Sequence, residues 1–415
     1  MRILSLDGGG SWAILQIQAL IDLYPQAQTG HEMLRQFDFV VANSGGTIVL
    51  AALIENMPLP QIEALFLDET ARKEIFFKLP WWKRIPRIIG LGPRYEAEEK
   101  IKGLAVRMPL HGHTPISDLG SMVATANGRP FDFLMMTFDY DRRRAVFQRS
   151  DANSLASSGS PPAVPPGQRL APTLAEAVHS ATNAPVDFFD RPARFLLWDS
   201  ALNPAANRHR RFWDGAVGGY NNPALAGLVE VLARPNPPSP GAISVLSIGT
   251  ASVVLPYRLH YPQAPGLLVQ DLPEQSLLQD IKALASAILD DPPDAASFIA
   301  HVWLGGTLPA RGAPPVTNGP LVRMNPLVQP VRTVNGNLAL PNGIGATDFE
   351  KLRKMEMDAI EQDEVLLIQR FGRRWLADDV TNQAIRANSF TLEPQIGFNR
   401  FSEARAAWLA RAPFR

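Results

Sequence analysis

Phe37-Asp38-Phe39-Val40-Val41-Ala42-Asn43-Ser44-Gly45-Gly46-Thr47 is the stretch on which the fold turns. An apolar run ends abruptly in small residues, a serine stands at the turn, and a second small, apolar run, Ile48 to Ile54, follows. This is the layout of a nucleophile elbow, a tight strand-to-helix turn that exposes a hydroxyl at the top of a sheet. The N-terminus repeats the pattern, with Ile3-Leu4-Ser5-Leu6 running into Asp7-Gly8-Gly9-Gly10 and a helix. A serine on one strand end beside a nest of backbone N–H groups on another is equipment for acyl transfer. Both pieces also have plainer readings. Ser44 can be an ordinary helix N-cap. Gly8 to Gly10 can be a tight turn only, or part of the loose dinucleotide pattern G-x-G-x-x-A. The dinucleotide reading needs an acidic residue at the end of the second strand, and that strand ends in Ala42-Asn43-Ser44.

Outward from these loops, strands alternate with helices. Arg2–Leu6 and Phe37–Ala42 read as buried strands, Trp12–Tyr24 and Gly45–Asn56 as helices. Met122–Ala126 and Phe133–Tyr140 read as strands, Leu174–Ala181 as a helix before Pro185, Arg211–Trp213 as the end of a short strand, Asn222–Leu232 as a helix and Ala242–Ile248 as a strand. The alternation predicts an α/β fold in three layers, with a mostly parallel central sheet. From about Ala251 the pattern changes, and Ser276–Leu289 and Asp348–Phe371 are its strong helical stretches. We therefore expect a catalytic domain over residues 1–250 and a C-terminal elaboration over 251–415 packed on it.

Composition narrows the function classes. Lys plus Arg and Asp plus Glu both number 40, so there is no bulk electrostatic argument for a nucleic-acid polymer as partner. The absence of cysteine removes disulfides, thiolate catalysis and cysteine zinc sites, and is compatible with a reducing compartment. No run of about 18 apolar residues suggests a membrane span. The apolar run before Asp7 is too short for a signal peptide. The expectation is a soluble, cytoplasmic protein. No histidine pair has a metal-ligand spacing with carboxylates, and the basic runs Arg142-Arg143-Arg144 and Arg208 to Arg211 read as solvated loops.

The third chemical piece is Phe212-Trp213-Asp214-Gly215-Ala216, where an aspartate follows an apolar strand end and precedes glycine. Such an Asp can project into a cleft or bond its own backbone as a turn-former. With Ser44 and the glycine loop, a serine–aspartate pair is the natural reading. At these residues the chain resembles the patatin-like phospholipases, acyl hydrolases that use a Ser–Asp dyad without histidine. The resemblance is carried by Ser5-Leu6-Asp7-Gly8-Gly9-Gly10, Asn43-Ser44-Gly45-Gly46 and Trp213-Asp214-Gly215-Ala216. Support comes from Gly92-Pro93-Arg94-Tyr95, Ala181-Thr182-Asn183-Ala184-Pro185, Asn221-Asn222-Pro223 and Leu246-Ser247-Ile248-Gly249-Thr250. It implies Ser44 as nucleophile, Asp214 as base, and Gly8, Gly9, Gly10 with Gly45 as oxyanion donors. It also implies a membrane phospholipid or other acyl lipid as substrate, with no cofactor and no metal. Two motifs depart from the family pattern. Its G-x-S-x-G elbow has Ala42 first, and Ser11, Trp12 and Ala13 stand where the family's x-R-G follows the glycine loop. Two alternatives stand beside a free-running hydrolase: the missing arginine suggests an effector of low basal activity gated by a small-molecule activator such as a cyclic nucleotide, and the same acyl-enzyme resolved by an alcohol would make an acyltransferase.

Glu74–Leu91 holds Phe76, Phe77, Leu79, Trp81, Trp82, Ile85, Ile88, Ile89 and Leu91 among Lys73, Lys78, Lys83, Arg84 and Arg87. Trp with basic residues suits a membrane interface. We expect Trp81, Trp82, Lys83 and Arg84 to form either a peripheral membrane contact that gates Ser44 or a cap that buries the same residues over the cleft.

Overall fold

Ile3-Leu4-Ser5-Leu6 and Phe39-Val40-Val41-Ala42 are apolar on both sides of the pleat, and both strands are buried on both faces. The computed structural model describes residues 1–75, 95–151, 169–185, 188–197, 209–272, 293–310, 312–388 and 393–411. Over these residues the main sheet has eight strands: β1 (Arg2–Leu6), β2 (Phe39–Ala42), β3 (Asp132–Asp139), β4 (Arg144–Arg149), β5 (Ala193–Leu196), β6 (His209–Asp214), β7 (Ser244–Ile248) and β8 (Leu321–Met324). Their order is β5-β6-β3-β2-β1-β7-β8, with β4 paired to β3. The pairs β1–β2, β2–β3, β1–β7 and β7–β8 are parallel, and those among β3, β4, β5 and β6 are antiparallel. This is the expected α/β architecture, with a mixed and mostly parallel sheet.

Side-chain alternation divides the core. Leu4, Leu6, Val40 and Ala42 face one side and join residues of the helices Ile14–Leu23, Gly45–Ile54, Leu174–Ala181 and Gln362–Leu376. Ile3, Phe39 and Val41 face the other side, with Ala224, Leu228 and Val231 of the helix Ala224–Leu232 and Ala300 of the helix Pro293–Trp303. Residues from both sides of position 250 share these clusters. Trp375 and Trp408 are fully buried, and the Trp408 indole N–H donates to the Tyr24 hydroxyl at 2.6 Å.

Two sequence readings are corrected. Met122–Ala126, expected as a strand, lies inside the helix Ile116–Asn127. The buried positions are Ile116, Leu119, Gly120 and Val123, which is helical spacing, and Met122 is exposed. Asp348–Phe371, expected as one helix, is two helices, Ala346–Lys354 and Gln362–Leu376. Between them the carbonyls of Met357, Ala359 and Ile360 accept from Ser11 and Arg72 instead of from a helical neighbour. A capping box of Glu361 and Glu364 restarts the helix. The basic run from 208 is also partly strand, since β6 begins at His209, while Arg142 and Arg143 stand in the exposed β3–β4 turn. The predicted helix Ser276–Leu289 and the residues Trp81, Trp82, Lys83 and Arg84 lie outside the described residues. Among the described residues no helix is long and apolar enough to cross a membrane.

Candidate active site

Sheet register alone brings the proposed reactive residues together. β1 and β2 are adjacent and in parallel, with Leu6 opposite Ala42, so the glycine loop and Ser44 leave the same sheet edge side by side. Ala42 is opposite Met135 on β3, and two residues further along β3 Thr137 is opposite Asp214 on β6. Asp214 therefore lies level with the turn that follows β2. The carboxyl ends of parallel strands are where open α/β sheets place their ligands.

Ser44 holds φ 45° and ψ −122°, an unusual conformation for a residue with a side chain. Such strain persists where its surroundings over-determine it, and it marks functional turns. The surroundings here are tight. The Ser44 N–H donates to Ala181 O at 3.1 Å, and the Thr47 hydroxyl donates to Ser44 O at 2.6 Å. A Cβ on Gly45 would come within 2.5 Å of Gly10 O, and one on Gly46 within 2.5 Å of Leu6 O. Ser44 makes no side-chain cap to the helix Gly45–Ile54, so it is not the ordinary N-cap. Its hydroxyl is one of the groups that pull the Asp214 carboxyl down.

Asp214 is 1% exposed. Its Oδ1 accepts from Asn43 Nδ2 at 3.1 Å and from the Ala216 N–H at 2.9 Å, and its own N–H donates to Asn183 O at 3.0 Å. Burial pushes its carboxyl above the ordinary carboxylate value; the bonds from Ala216, Ser44 and Asn43, with the charge of Lys100, pull the other way.

The glycine loop supplies donors. The Gly8 N–H is taken by Asn221 O at 2.9 Å, and the Ser11 N–H by Met357 O at 2.9 Å. Among the described residues the N–H groups of Gly9, Gly10 and Gly45 donate to no protein acceptor. Gly10 has φ 55°, and a Cβ there would stand 2.3 Å from Met357 O, so only glycine permits this backbone against that carbonyl.

Several residues that brace the site were not singled out from the sequence. Asn43 ties the elbow to Asp214. Asn183 accepts from Lys100 Nζ at 3.1 Å through Oδ1. Gln16 Nε2 donates to Asp7 O at 2.9 Å and Ile248 O at 3.1 Å. Arg323 reaches across Ser247 to Asp7, with 2.6 Å between Nη2 and Oδ2, both side chains almost fully buried. Burial raises the Asp7 carboxyl to about 6 even against the pull of Arg323. Ser11 Oγ donates to Ala359 O at 2.7 Å, and Trp12 Nε1 to Glu356 O at 3.2 Å. Trp12, where the family has arginine, and its neighbour Ser11 thus carry contacts to a late segment of the chain. Lys100 did leave a signal, a cation on the apolar stripe formed by Ala97, Gly103 and Leu104. Among the described residues no group of three or more His, Asp or Glu side chains is placed to hold a metal ion.

The family described as patatin-like phospholipase matches residues 4–228, more than half of the chain. The chain belongs to the patatin-like phospholipase family. No curated protein matches the chain. Among solved structures, VipD from Legionella pneumophila aligns at a TM-score of 0.35 and 10% identity, over 89% of this chain and 66% of VipD. The type III effector protein ExoU aligns at a TM-score of 0.25 and 12% identity, over 71% of this chain and 53% of ExoU. The chain therefore spans just under two thirds of the former's length and about half of the latter's.

Proposed function

We propose that this protein hydrolyses a carboxylic ester of an acyl lipid through a Ser44–Asp214 dyad. The observation that carries the reading is the strained Ser44 level with a buried Asp214 whose carboxyl it helps to pull down, beside N–H groups of Gly9, Gly10 and Gly45 that have no protein acceptor among the described residues. Ser44 Oγ attacks the acyl carbonyl and its proton passes to Asp214. The carbonyl oxygen becomes an oxyanion and is held by the three free N–H groups, which need no reorganisation at that moment. Collapse expels the alcohol, which takes the proton back from Asp214. Water then attacks the acyl-serine by the same route, releasing the fatty acid and restoring Ser44. An aspartate is a weak base at its ordinary value, and burial raises it towards the range where it works better.

The glycine loop is already set against Ser44 and is held by Met357 and Ala359, which supports turnover without an activator. Digestion of a bacterial lipid extract, read by mass spectrometry, tests the reading: free fatty acid and lysolipid should appear with the native chain and not with Ser44→Ala. Acyl transfer to an added alcohol in place of free acid would make it an acyltransferase. Turnover only after adding nucleotides would make it a gated effector. No product from any lipid under either condition would defeat the hydrolase reading.

A further inference from the structure

The observation lies behind Asp214 and rests on the dyad reading. Lys100 is fully buried on the helix Ala97–Arg107. Its ammonium donates to Asn183 Oδ1 at 3.1 Å and sits 3.9 Å from the centre of the Phe189 ring. One neutral acceptor and one aromatic face are a poor exchange for water around an ammonium. The neighbouring charges are mostly engaged elsewhere. On its own helix Lys102 pairs with Glu99 and Arg107 with Glu74, and Glu98 pairs with Arg191. Asp190 accepts from the Ala97 N–H and pairs with Arg191, and Asp358 accepts from Tyr95. His179, on the packed helix Leu174–Ala181, is buried and held neutral, by burial first and by Lys100 second. The carboxylate whose charge reaches Lys100 is Asp214. Asn183 joins the two, accepting from Lys100 through its side chain and from the Asp214 N–H through its backbone.

We infer that Lys100 is a positioning residue for the dyad, a buried ammonium that keeps Asp214 ionised and, through Asn183, holds it opposite Ser44. Burial pushes the Lys100 ammonium well below the ordinary lysine value and Asp214 pulls it back up; burial raises the Asp214 carboxyl, and Lys100, after Ala216, Ser44 and Asn43, pulls it down. Lys100 touches no reacting atom. It acts on the fraction of molecules whose base is free to take the serine proton.

The test is the pH profile of kcat/KM on a soluble p-nitrophenyl ester for the native chain, Lys100→Met and Lys100→Gln. Both variants remove the charge, and Gln retains a donor for Asn183. Asp214 must be ionised to accept a proton, so activity rises as pH passes its pKa. Removing the ammonium should move that acid limb upward, with KM nearly unchanged and the alkaline plateau largely retained. Folded variants whose whole profile drops without a shift of the limb would mean a packing role and overturn the inference. Should neither variant fold, the charge coupling is read in Ser44→Ala protein by NMR of ¹⁵N-labelled lysine. There Asp214→Asn should lower the pH at which the Lys100 ammonium deprotonates by about one unit or more, and an unchanged titration overturns the inference. Ser44→Ala and Asp214→Asn in the ester assay are the separate check on the dyad. If either retains turnover, the dyad reading fails, whatever Lys100 does.

Discussion

The two halves of the site are held by different parts of the chain. Around Ser44 and Asp214, the residues Asn43, Ala181, Asn183 and Lys100 all lie within the residues that match the family, 4–228. Around the glycine loop, Gln16 and Asn221 lie within it, but Thr250, Arg323, Met357 and Ala359 lie beyond it. The nucleophile half is therefore self-contained, and the oxyanion half is braced by late-chain residues. A segment without helix, between Lys354 and Gln362, links that loop to the rest of the protein. It binds Ser11 and Trp12 on one side, and Arg72 and Tyr95 on the other. The family's arginine is absent at exactly the half that these contacts reinforce, and Trp12 in its place reaches the same segment. Physically, an N–H aimed at a charge that exists only in the transition state must be immobile beforehand. Any part of the chain can supply that rigidity.

The largest expected effect tests the self-contained half. Ser44→Ala and Asp214→Asn should each remove at least about four orders of magnitude of kcat, because residues acting as a unit fail together. In the native chain kcat/KM should rise through an acid limb above the ordinary carboxylate value of 3.8, since burial raises the Asp214 carboxyl and the protonated form is no base. A Ser44→Ala protein with native turnover of a short ester would end the comparison. His301 is fully buried and its Nε2 lies 3.2 Å from Thr307 O, so it belongs to packing. A rate profile governed by a group near 6.5 and lost in His260→Ala or His301→Gln would replace the dyad with a triad.

On the braced half, Arg323→Met should cost about 3–5 kcal/mol near pH 7.5, the cost of leaving one member of a buried pair unpaired. The sign with pH follows from Asp7. Its folded value, raised to about 6, exceeds the unfolded 3.8, so its contribution to stability is full below 3.8 and is lost as pH rises through 6. The cost of Arg323→Met should therefore shrink at pH 5, where Asp7 takes a proton. Urea denaturation at the two pH values reads this, and an equal cost at both would mean that the pair does not brace the loop.

Gly9→Ala should lower kcat about a hundredfold, the scale of one oxyanion donor. Its Cβ would meet Thr250 Oγ1 at 2.1 Å, at a φ of 153°, and turn the N–H away. Full kcat in a folded Gly9→Ala variant would remove Gly9 from the oxyanion role. The smallest effect is that of Ser11→Ala, which leaves Ala359 O without its donor and should cost about 1–2 kcal/mol of stability. Its kcat should fall by less than that of Gly9→Ala, because the Ser11 N–H still holds Met357 O. A loss of kcat as large as that of Gly9→Ala would show that the late segment sets the loop's catalytic geometry and is more than a support.

The sequence by itself determined the strand–turn–helix units that carry Ser44 and the glycine loop, and the strand end that carries Asp214. These are local features. A buried strand reads as an apolar run, and a backbone that must turn sharply against a neighbour admits only small residues. The elements Arg2–Leu6 and Leu174–Ala181 were legible for the same reason. Met122–Ala126 was misread because apolar spacing over five residues fits a strand as well as the helix it is. Only the tertiary structure decided what surrounds the reactive residues. The split of Asp348–Phe371 into two helices depends on donors some 350 positions away, at Ser11. The pairing of Asp7 with Arg323 depends on β8 joining the sheet beside β7. The placing of Lys100 behind Asp214 depends on which helix covers that sheet edge. Each is a choice of partner across space, and a buried charge or a broken helix is stable only once its partner is there.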